Sequence, residues 1–256
     1  MTGLTDEQLT DLVEMVHNRC ADRFVSRGRP IALGLFQSVA MVVFLIRKNV
    51  TQDVAGAVFG VSQPTVSRRW DLLRPVIGDV LAALVPDPGE LVGRGTVLVD
   101  GTVGPTWDWN HVPDLFSAKV GYPGMNLQIA ATLDGVLIAV GPQPVHGARH
   151  DAHAFAASGL AGILTDSPTA ADLGYVGVNG IDVVPFKKPL GRDLHPSQRD
   201  FNSALSKARA AVEHAIAHLK TWRILSEEGG RYRAPLEKYE SLLKAVTGLF
   251  FFAAYE

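Results

Sequence analysis

Three acidic residues stand where their carboxylates could hold metal ions. Asp100 ends a short β-branched run and precedes Gly101, Asp172 follows Ala171, and Glu213 lies inside a helical pattern. Carboxylates that strand ends and a helix bring together suit hard divalent cations such as Mg²⁺. Two such ions about 4 Å apart activate water and stabilise the leaving oxygen in phosphodiester hydrolysis. Because single aspartates are common, their spacing alone leaves a purely structural role open.

The neighbours of Glu213 form a narrow polar line on its helix. At about 100° per residue, the polar positions span only about 60° of arc; they are Ser206, Arg209, Glu213 and Lys220. An apolar stripe runs beside them and consists of Leu205, Ala208, Val212, Ile216 and Leu219. One interpretation is a surface ladder of ion pairs, each worth only tenths of a kcal/mol. The other is that Glu213 binds a metal ion while Arg209 and Lys220 contact phosphates.

Residues 51–73 have the pattern of a helix-turn-helix. Thr51 can cap a short first helix, whose buried face is predicted to be Val54, Ala55 and Val58. Gly60 suits the tight turn, because glycine tolerates positive φ. Ser62 can cap the second helix, which has Pro64 in its first turn and faces the core with Val66, Trp70 and Leu73.

The other face of that second helix is polar and basic, and consists of Gln63, Thr65, Ser67, Arg68 and Arg69. Side chains of these types read base edges or contact phosphates in the major groove of DNA. The pattern therefore predicts a DNA-binding helix. An ordinary helical hairpin with an exposed polar face is the alternative.

Other residues offer weaker signals for a site. A zinc or iron site is conceivable at His146, His150, Asp151 and His153, but no cysteine or second histidine pair has zinc-like spacing. These residues are better interpreted as a loop at the rim of an active site. Trp107 and Trp109 could stack on an unpaired base but more often pack onto a domain edge. Backbone phosphates could be contacted by Lys119, Lys187 and Lys188, for which simple solvation is the default.

The elements that must position these residues change character at Pro86–Gly89. Residues 5–85 are predicted to be helical, with one helix from Ala32 to Lys48. Strand-like runs follow at 96–100, 126–132, 136–140 and 182–186, with an Asp134-Gly135 hairpin turn between the second and third. Helices are predicted over 198–223 and 235–255. This order predicts an all-α domain followed by a mixed α/β domain.

Length, charge and cysteine content limit the possibilities further. The chain has 256 residues, 47% of them hydrophobic, which suits one large or two ordinary globular domains. Its one cysteine excludes a disulfide scaffold. No apolar run approaches the roughly 20 residues of a membrane span, and the polar N-terminus lacks a signal peptide. An intracellular protein with no membrane partner is therefore expected.

The net charge of −2 hides three unlike segments. Residues 21–74 carry eight Lys or Arg against three acids, a net of +5. Residues 89–184 carry three against nine, a net of −6, and residues 185–223 carry eight against three, a net of +5. Chance patterning on a solvated surface is one interpretation. The other is an acidic metal site flanked by surfaces that bind a polyanion.

At these residues the chain resembles a family. The segments around Asp100 (VLVDGT), Asp172 (TAADLGYVG) and Glu213 (NSALSKARAAVEHAIAHLKTWRIL) resemble the three acidic blocks of bacterial insertion-sequence transposases of the DDE superfamily, in the branch related to Harbinger-type elements. Arg209 and Lys220 match the spacing of that family's Tyr-Arg-Glu-Lys signature, whose tyrosine position is Ser206 here. Similar blocks are GARHD at 147–151, the segment 126–134 and VPFKKP at 184–189.

The resemblance implies an RNase H-like mixed sheet with flanking helices over 90–256, preceded by a helical DNA-binding domain over 1–86. It implies that Asp100, Asp172 and Glu213 bind two Mg²⁺ or Mn²⁺ ions per site. His150, Asp151, Arg209 and Lys220 would be accessory, and the DNA contacts would come from Gln63, Thr65, Ser67, Arg68, Arg69, Lys187 and Lys188.

The activity implied is that of a DNA transposase. It would bind the terminal inverted repeats of its element, cleave there, and transfer the 3′ hydroxyl ends to target DNA. It would act as a homodimer or higher oligomer on double-stranded DNA, in the cytoplasm and associated with the nucleoid. Three alternatives remain open: a domesticated DNA-binding regulator, a metal-dependent nuclease without transposition, and a phosphohydrolase of small substrates.

Overall fold

The computed structural model describes residues 1–24, 32–92, 95–109 and 111–254. The α-helices are α1 (Asp6–Cys20), α2 (Leu35–Lys48), α3 (Gln52–Phe59), α4 (Gln63–Leu81), α5 (Pro88–Val92), α6 (Asp151–Ala157), α7 (Leu160–Ile163), α8 (Pro196–Leu219) and α9 (Tyr239–Ala254). The strands are β1 (Val97–Pro105), β2 (Phe116–Ser117), β3 (Tyr122–Ala131), β4 (Leu137–Val140), β5 (Val145–His146) and β6 (Thr169–Ala170). None of the helices described is both long and apolar enough to cross a membrane.

The chain divides into two compact units. A helical unit contains Met1–Val85 together with Lys220–Glu256, and a mixed unit contains Pro86–Leu219. The predicted order of a helical region followed by a mixed sheet with flanking helices is confirmed. The predicted extent of the second domain, 90–256, differs from this division, because its last 37 residues (220–256) belong to the helical unit. A 3₁₀ turn at Arg223–Leu225, where Ile224 and Leu225 are buried, begins this returning segment.

The helical unit is held together by α4 and α9. The buried side of α4 includes Trp70, Leu73, Ile77 and Leu81, and α9 is apolar along most of its length. The two helices approach closely at Gly248, where an added Cβ would lie 2.7 Å from Leu81 Cβ. Burial of these side chains, at about 25 cal/mol per Å² of apolar surface, is the main source of stability for the pair.

The helix-turn-helix forms with one change from its predicted packing. Thr51 caps α3 by accepting a hydrogen bond from Val54 N, and Gly60 ends it with φ of 69°. The prediction that Val54 and Val58 are buried is wrong, because they are 47% and 51% exposed. The short helix instead buries two small residues, Ala55 and Gly56, which allows its backbone to lie close to the neighbouring elements.

Ser62 is the N-cap residue of α4 as predicted, with extended φ and ψ, and Pro64 lies in the first turn of the helix. Its side chain makes no capping hydrogen bond to the backbone. The Ser62 hydroxyl lies 3.1 Å from the hydroxyl of Thr65 instead. The position of the cap is thus confirmed, whereas the bond expected of it is absent among the described residues.

The mixed unit is built around β1 and β3. β1 pairs with β3 in antiparallel register, with Asp100 opposite Ile129, and with β6 in parallel register. The strand order is β2-β3-β1-β6, and β4 and β5 also pair with β3. The Asp-Gly turn joins β3 to β4 as predicted, and Gly135 has φ of 85°.

Alternation along β1 sends neighbouring residues to opposite faces of the sheet. Val97 and Val99 pack into a buried cluster with Phe155 of α6 and Tyr175. The side chain of Asp100 contacts Arg209 of α8. The two faces therefore meet different helices, and Asp100 belongs to the face that α8 covers.

Three predicted boundaries are corrected by the structure. Asp100 does not end its strand, since β1 continues to Pro105. The run 182–186 contributes a single bridge of Val183 to Ala170 rather than a strand. The helix that carries Glu213 ends at Leu219, so Lys220 lies beyond it.

Candidate functional site

Asp100 and Asp172 come together through the pairing of β1 with β6. Asp172 follows β6 by two residues, and Asp100 lies within β1. Arg209 joins them, because its Nη2 donates to Asp100 Oδ2 at 3.0 Å and lies 3.6 Å from Asp172 Oδ2. One guanidinium nitrogen thus serves two carboxylates that are distant in sequence. Of the predicted acidic residues, these two are the pair that the structure brings together.

The side chain of Asp100 is buried, which disfavours its charged form. Only 8% of the residue is exposed, and this burial raises the pKa of its carboxyl above the ordinary value, with a smaller contribution from Asp172. Arg209, the backbone N–H of Gly101 and Lys119 act in the opposite direction. Since burial outweighs these neighbours, further positive charge at this position would stabilise the ionised carboxylate.

Asp172 is fixed by the turn that follows it. It occupies the cap of a 3₁₀ turn at Leu173–Tyr175, and its Oδ1 accepts from the backbone N–H of Gly174 at 2.7 Å. Its side chain is 28% exposed. The carboxylate is therefore oriented by the backbone while its other oxygen faces Arg209 and solvent.

Glu213 is exposed on α8, one helical turn after Arg209. Positions i and i+4 lie on the same side of a helix, so Glu213 shares the side of α8 whose Arg209 contacts the aspartates. No described contact joins Glu213 to Asp100 or Asp172. Among the residues that the structure describes, no three His, Cys, Asp or Glu side chains are gathered as a metal-binding group.

Asp151 is the centre of a hydrogen-bond network at the start of α6. It accepts from Asn126 Nδ2 at 2.8 Å and from Lys119 Nζ at 2.9 Å, with Gln128 Nε2 at 3.4 Å. The hydroxyl of Tyr175 donates to Gln128 Oε1 at 2.7 Å. The two amides and the phenol hold Asp151 and, through it, Lys119.

Gly101 makes room for this network beside Asp100. An added Cβ would collide with Asp151 Oδ1 and would lie 2.7 Å from Gln128 Nε2. Asp151 therefore packs directly against β1 at Gly101, the residue after Asp100, because glycine has no side chain there. Sequence reasoning noticed Gly101 only as a neighbour of Asp100.

Lys119 lies in the combined field of three aspartates. Burial lowers the pKa of its ammonium group, but the hydrogen bond to Asp151 and the charges of Asp151, Asp100 and Asp172 outweigh that effect and raise the pKa overall. Its side chain is still 61% exposed. A charged donor is thus held at the edge of the carboxylate pair.

Sequence reasoning missed Asn126, Gln128 and Tyr175 as site residues. Asn126 and Gln128 are nearly fully buried in β3, where all the other residues from Pro123 onward are buried as well. Two amides at alternate positions of an apolar strand share one face of the sheet. That pattern was the available signal, since buried amides require partners.

Among the described residues, the histidines belong to no group of side chains that could hold a metal ion. His150 takes the cap position of α6 without a side-chain cap bond. Trp107 is 52% exposed, and the ring of Trp109 lies 6.0 Å from that of His111. The roles considered for these aromatic rings remain predictions.

The predicted DNA-contact residues of α4 differ in how many contacts they already make within the protein. Arg68 is exposed and donates to the Thr65 hydroxyl at 3.2 Å. Arg69 lies 4.3 Å above the ring of Phe24 and donates to a backbone carbonyl in the same unit. Gln63 and Ser67 line a cavity of the helical unit. Arg69 is therefore turned toward the protein and Arg68 toward solvent, while Gln63 and Ser67 are partly buried at the cavity.

The lysines predicted to contact phosphates have separate surroundings. Lys187 is exposed, and Lys188 Nζ pairs with Asp193 at 2.7 Å. Lys220 belongs to the helical unit, where burial lowers its pKa and Glu227 acts to raise it. Phosphate contacts by these residues remain predictions.

The described residues thus combine a helix-turn-helix with a sheet that presents paired carboxylates, the two parts expected of an enzyme that binds and cuts DNA. Comparison with protein families matches residues 99–250 to the DDE superfamily endonuclease and residues 32–83 to the helix-turn-helix of DDE superfamily endonucleases. The chain therefore belongs to the DDE superfamily endonucleases. The family predicted from the sequence is confirmed.

Relatives of known designation agree with this assignment. A protein of Streptomyces albus G named as a transposase for insertion sequence element IS112 is 33% identical over 228 residues, which are 88% of this chain and 84% of the relative. One of Microchaete diplosiphon named as a transposase for element IS702 is 27% identical over 266 residues, covering 96% of this chain and 94% of the relative. Comparison with solved structures gave no significant match.

Proposed function

We propose that the protein is a DNA transposase that cleaves the ends of its own element and joins them to target DNA. The observation that carries the proposal is the convergence of Asp100 and Asp172 on one guanidinium nitrogen. It gains support from membership of the DDE endonucleases and from relatives designated as transposases. We further propose that the mixed sheet is RNase H-like.

The carboxylate pair fits a divalent cation. Superfamily membership implies one, and carboxylate oxygens are the ligands that Mg²⁺ and Mn²⁺ prefer. The space between Asp100 and Asp172 already receives a positive group, since Arg209 Nη2 lies within 3.6 Å of an oxygen of each. Asp100, Asp172 and Glu213 would hold the ions, two per site. Bound there, the ions would lower the pKa of water and neutralise charge on the leaving oxygen.

In this proposal, the residues around the carboxylate pair have different roles. Asp172 is oriented by the N–H of Gly174, and Asp151 with its amide donors holds Lys119 beside the carboxylates. A charged donor so placed suits a phosphate oxygen of the DNA backbone. With cations holding the aspartates, Arg209 would be a second charged donor for a phosphate.

The helix-turn-helix supplies the proposed DNA contacts. α4 would lie in the major groove at the terminal inverted repeats, with Arg68 on phosphates and with Gln63 and Ser67 at base edges. Bringing two element ends together requires at least a dimer on DNA. Such an enzyme works where element and target DNA are found, in the nucleoid.

The test uses the full chain and a labelled duplex that carries the inverted repeat flanking its reading frame. Asp100→Asn and Asp172→Asn keep the shape of the side chain but remove its charge. We expect each to lower Mg²⁺-dependent cleavage by at least about 10²-fold, comparable to the loss of one electrostatic stabiliser in other enzymes. Asp134→Asn, on the exposed β3–β4 turn, is the matched control and should cleave at the wild-type rate.

The alternatives predict different results in the same assays. Binding without cleavage by the wild type would indicate a DNA-binding regulator. Cleavage without joining of the labelled end to plasmid DNA would indicate a nuclease without transposition. Cleavage that survives Asp100→Asn would remove the proposed centre.

A further inference from the structure

Side-chain amides join the first residues of the two helices of the helix-turn-helix. Gln52 begins α3 and Gln63 begins α4, and Gln63 Nε2 donates to Gln52 Oε1 at 2.5 Å. Both side chains are partly buried, and both line a cavity of about 470 Å³ together with Ser67. The two amides are thus joined by a hydrogen bond at the wall of this cavity.

Among the contacts of the described residues, this bond leaves a specific set of hydrogen-bonding groups of Gln63 unused. An amide side chain has two N–H donors and an oxygen with two lone pairs. Gln63 spends one donor on Gln52, which leaves it one N–H and its Oε1. An N–H and a carbonyl oxygen on one planar amide match the N7 acceptor and the N6 donor that adenine presents in the major groove.

The neighbouring polar residues of α4 do not offer the same pattern. The Thr65 hydroxyl is in contact with Ser62 and accepts from Arg68. Arg69 is engaged with Phe24. Ser67 has a single hydroxyl, which either base type can bind. Gln63 therefore carries the most selective unused pattern on this face.

We propose that Gln63 reads an adenine in the terminal repeat and that Gln52 is the positioning residue that orients its amide. The inference rests on the proposed function, in which α4 enters the major groove. Fixing the amide before DNA arrives reduces the side-chain freedom lost on binding. Within the described part of the chain, both N–H groups of the Gln52 amide are unused, and these suit a phosphate oxygen beside the groove that α4 would enter.

The experiment selects duplexes from a randomised library with the full-length wild-type protein. The selected consensus is then compared with those of Gln63→Ala, Gln52→Ala and Gln52→Glu. Gln37→Ala, which alters an exposed glutamine of α2, is the matched control. Circular dichroism of each variant checks that the helical unit is folded.

We expect one adenine of the wild-type consensus to lose its preference in Gln63→Ala, by roughly 5- to 150-fold in relative affinity. Gln52→Ala should weaken the same preference at the same position. Gln52→Glu retains an oxygen that accepts from Gln63, so it should keep the adenine preference while binding all duplexes more weakly. Gln37→Ala should select the wild-type consensus.

A modified base tests the contact directly. Replacing the adenine identified by selection with 7-deazaadenine removes the N7 acceptor. Wild-type affinity should fall toward that of Gln63→Ala, whereas Gln63→Ala itself should be insensitive to the replacement. This non-additivity is the signature of a direct interaction.

Two results would overturn the inference, and they are distinguishable. If the wild type selects a consensus and folded Gln63→Ala selects the same one, the reading of adenine by Gln63 is wrong while DNA binding stands. If the wild type shows no duplex binding even at low salt, the proposed function fails and this inference fails with it.

Discussion

At the scale of single residues, Asp100 is a site residue whose burial is expected to lower the stability of the folded protein. Its carboxylate is buried, and the nearby cations do not fully offset that burial. Buried charges that are incompletely paired lower stability. Such strain on an acid is expected where function, rather than folding, determines the residue.

Asp100→Asn should therefore stabilise the mixed unit in a pH-dependent way. Because the folded pKa of Asp100 lies above its ordinary value of 3.8, the native state binds more protons than the unfolded state above that pH. Wild-type stability then falls as pH rises through the folded pKa. Relative to wild type, the variant should gain stability from about pH 4 upward and then level off.

Amide hydrogen exchange in β1, measured from pH 4 to pH 8, provides the free energy of opening for both proteins. Asp134→Asn, which alters an exposed residue of the β3–β4 turn, is the control variant. A difference between Asp100→Asn and wild type that stays constant with pH would contradict the expectation.

A second residue-scale prediction concerns two buried tyrosines. Tyr175→Phe removes the donor to Gln128 Oε1 and leaves a buried acceptor without its partner, which costs about 1–3 kcal/mol. In the residues described, the Tyr239 hydroxyl has no partner. Tyr239→Phe should therefore be neutral or stabilising. Denaturant unfolding of both variants decides it, and equal destabilisation would count against the network.

At the scale of elements, the turn between α3 and α4 depends on backbone conformation. Gly60 has φ of 69°, and an added Cβ there would meet nothing within 4 Å. Gly162 in α7 has equally open surroundings without positive φ. The two positions therefore separate backbone strain from crowding.

Gly60→Ala should destabilise the helical unit by about 1–2 kcal/mol, since a side chain in the left-handed region is strained. Gly162→Ala should be neutral or slightly stabilising, because alanine favours a helix interior. Thermal unfolding and duplex binding should both report the loss for Gly60→Ala. Equal effects at the two positions would indicate that φ is not the cause.

Local patterns account for much of the fold but for less of the site. The caps at Thr51 and Ser62, the turn at Gly60 and the Asp134-Gly135 hairpin depend on residues close in sequence, and all were predictable. The exposure of Val54 and Val58 was not, because the helical period does not say which side of a short helix meets its neighbours. Asn126 and Gln128 could not be recognised as site residues from the sequence, because their partner Asp151 lies in α6, more than 20 residues away.

At the scale of the whole molecule, the family match and the compact units divide the chain differently. The endonuclease match extends to residue 250, yet 220–256 pack with the N-terminal helices. The periodicity of the sequence predicted α9 but not its packing against α4. An apolar helix face shows that the helix is buried, but not which element covers it. α9 covers the apolar side of α4, and Lys244 pairs there with Asp79 at 2.6 Å.

A chain that stops at Leu219 should therefore lose DNA binding although it retains all of α3 and α4. Gly248→Leu in the full chain should act in the same direction, because the added side chain would meet Leu81. Hydrogen exchange in α1–α4 and duplex binding measure the effect. Lys244→Ala is the milder control, since an exposed ion pair is worth at most about 1 kcal/mol. Unchanged protection after truncation would show that α1–α4 fold alone.

The return of the chain to its first helices has a consequence for protein synthesis. Ribosomes add about 5–20 residues per second, so α1–α4 emerge roughly 10–30 s before α9 exists. During that interval α9 is not yet present to pack against α4, the helix that we propose binds DNA. Under the proposed function, we therefore expect that a nascent chain would bind an element end only after its nuclease segment has been translated. Prematurely terminated chains would then not compete with the complete enzyme for the same ends.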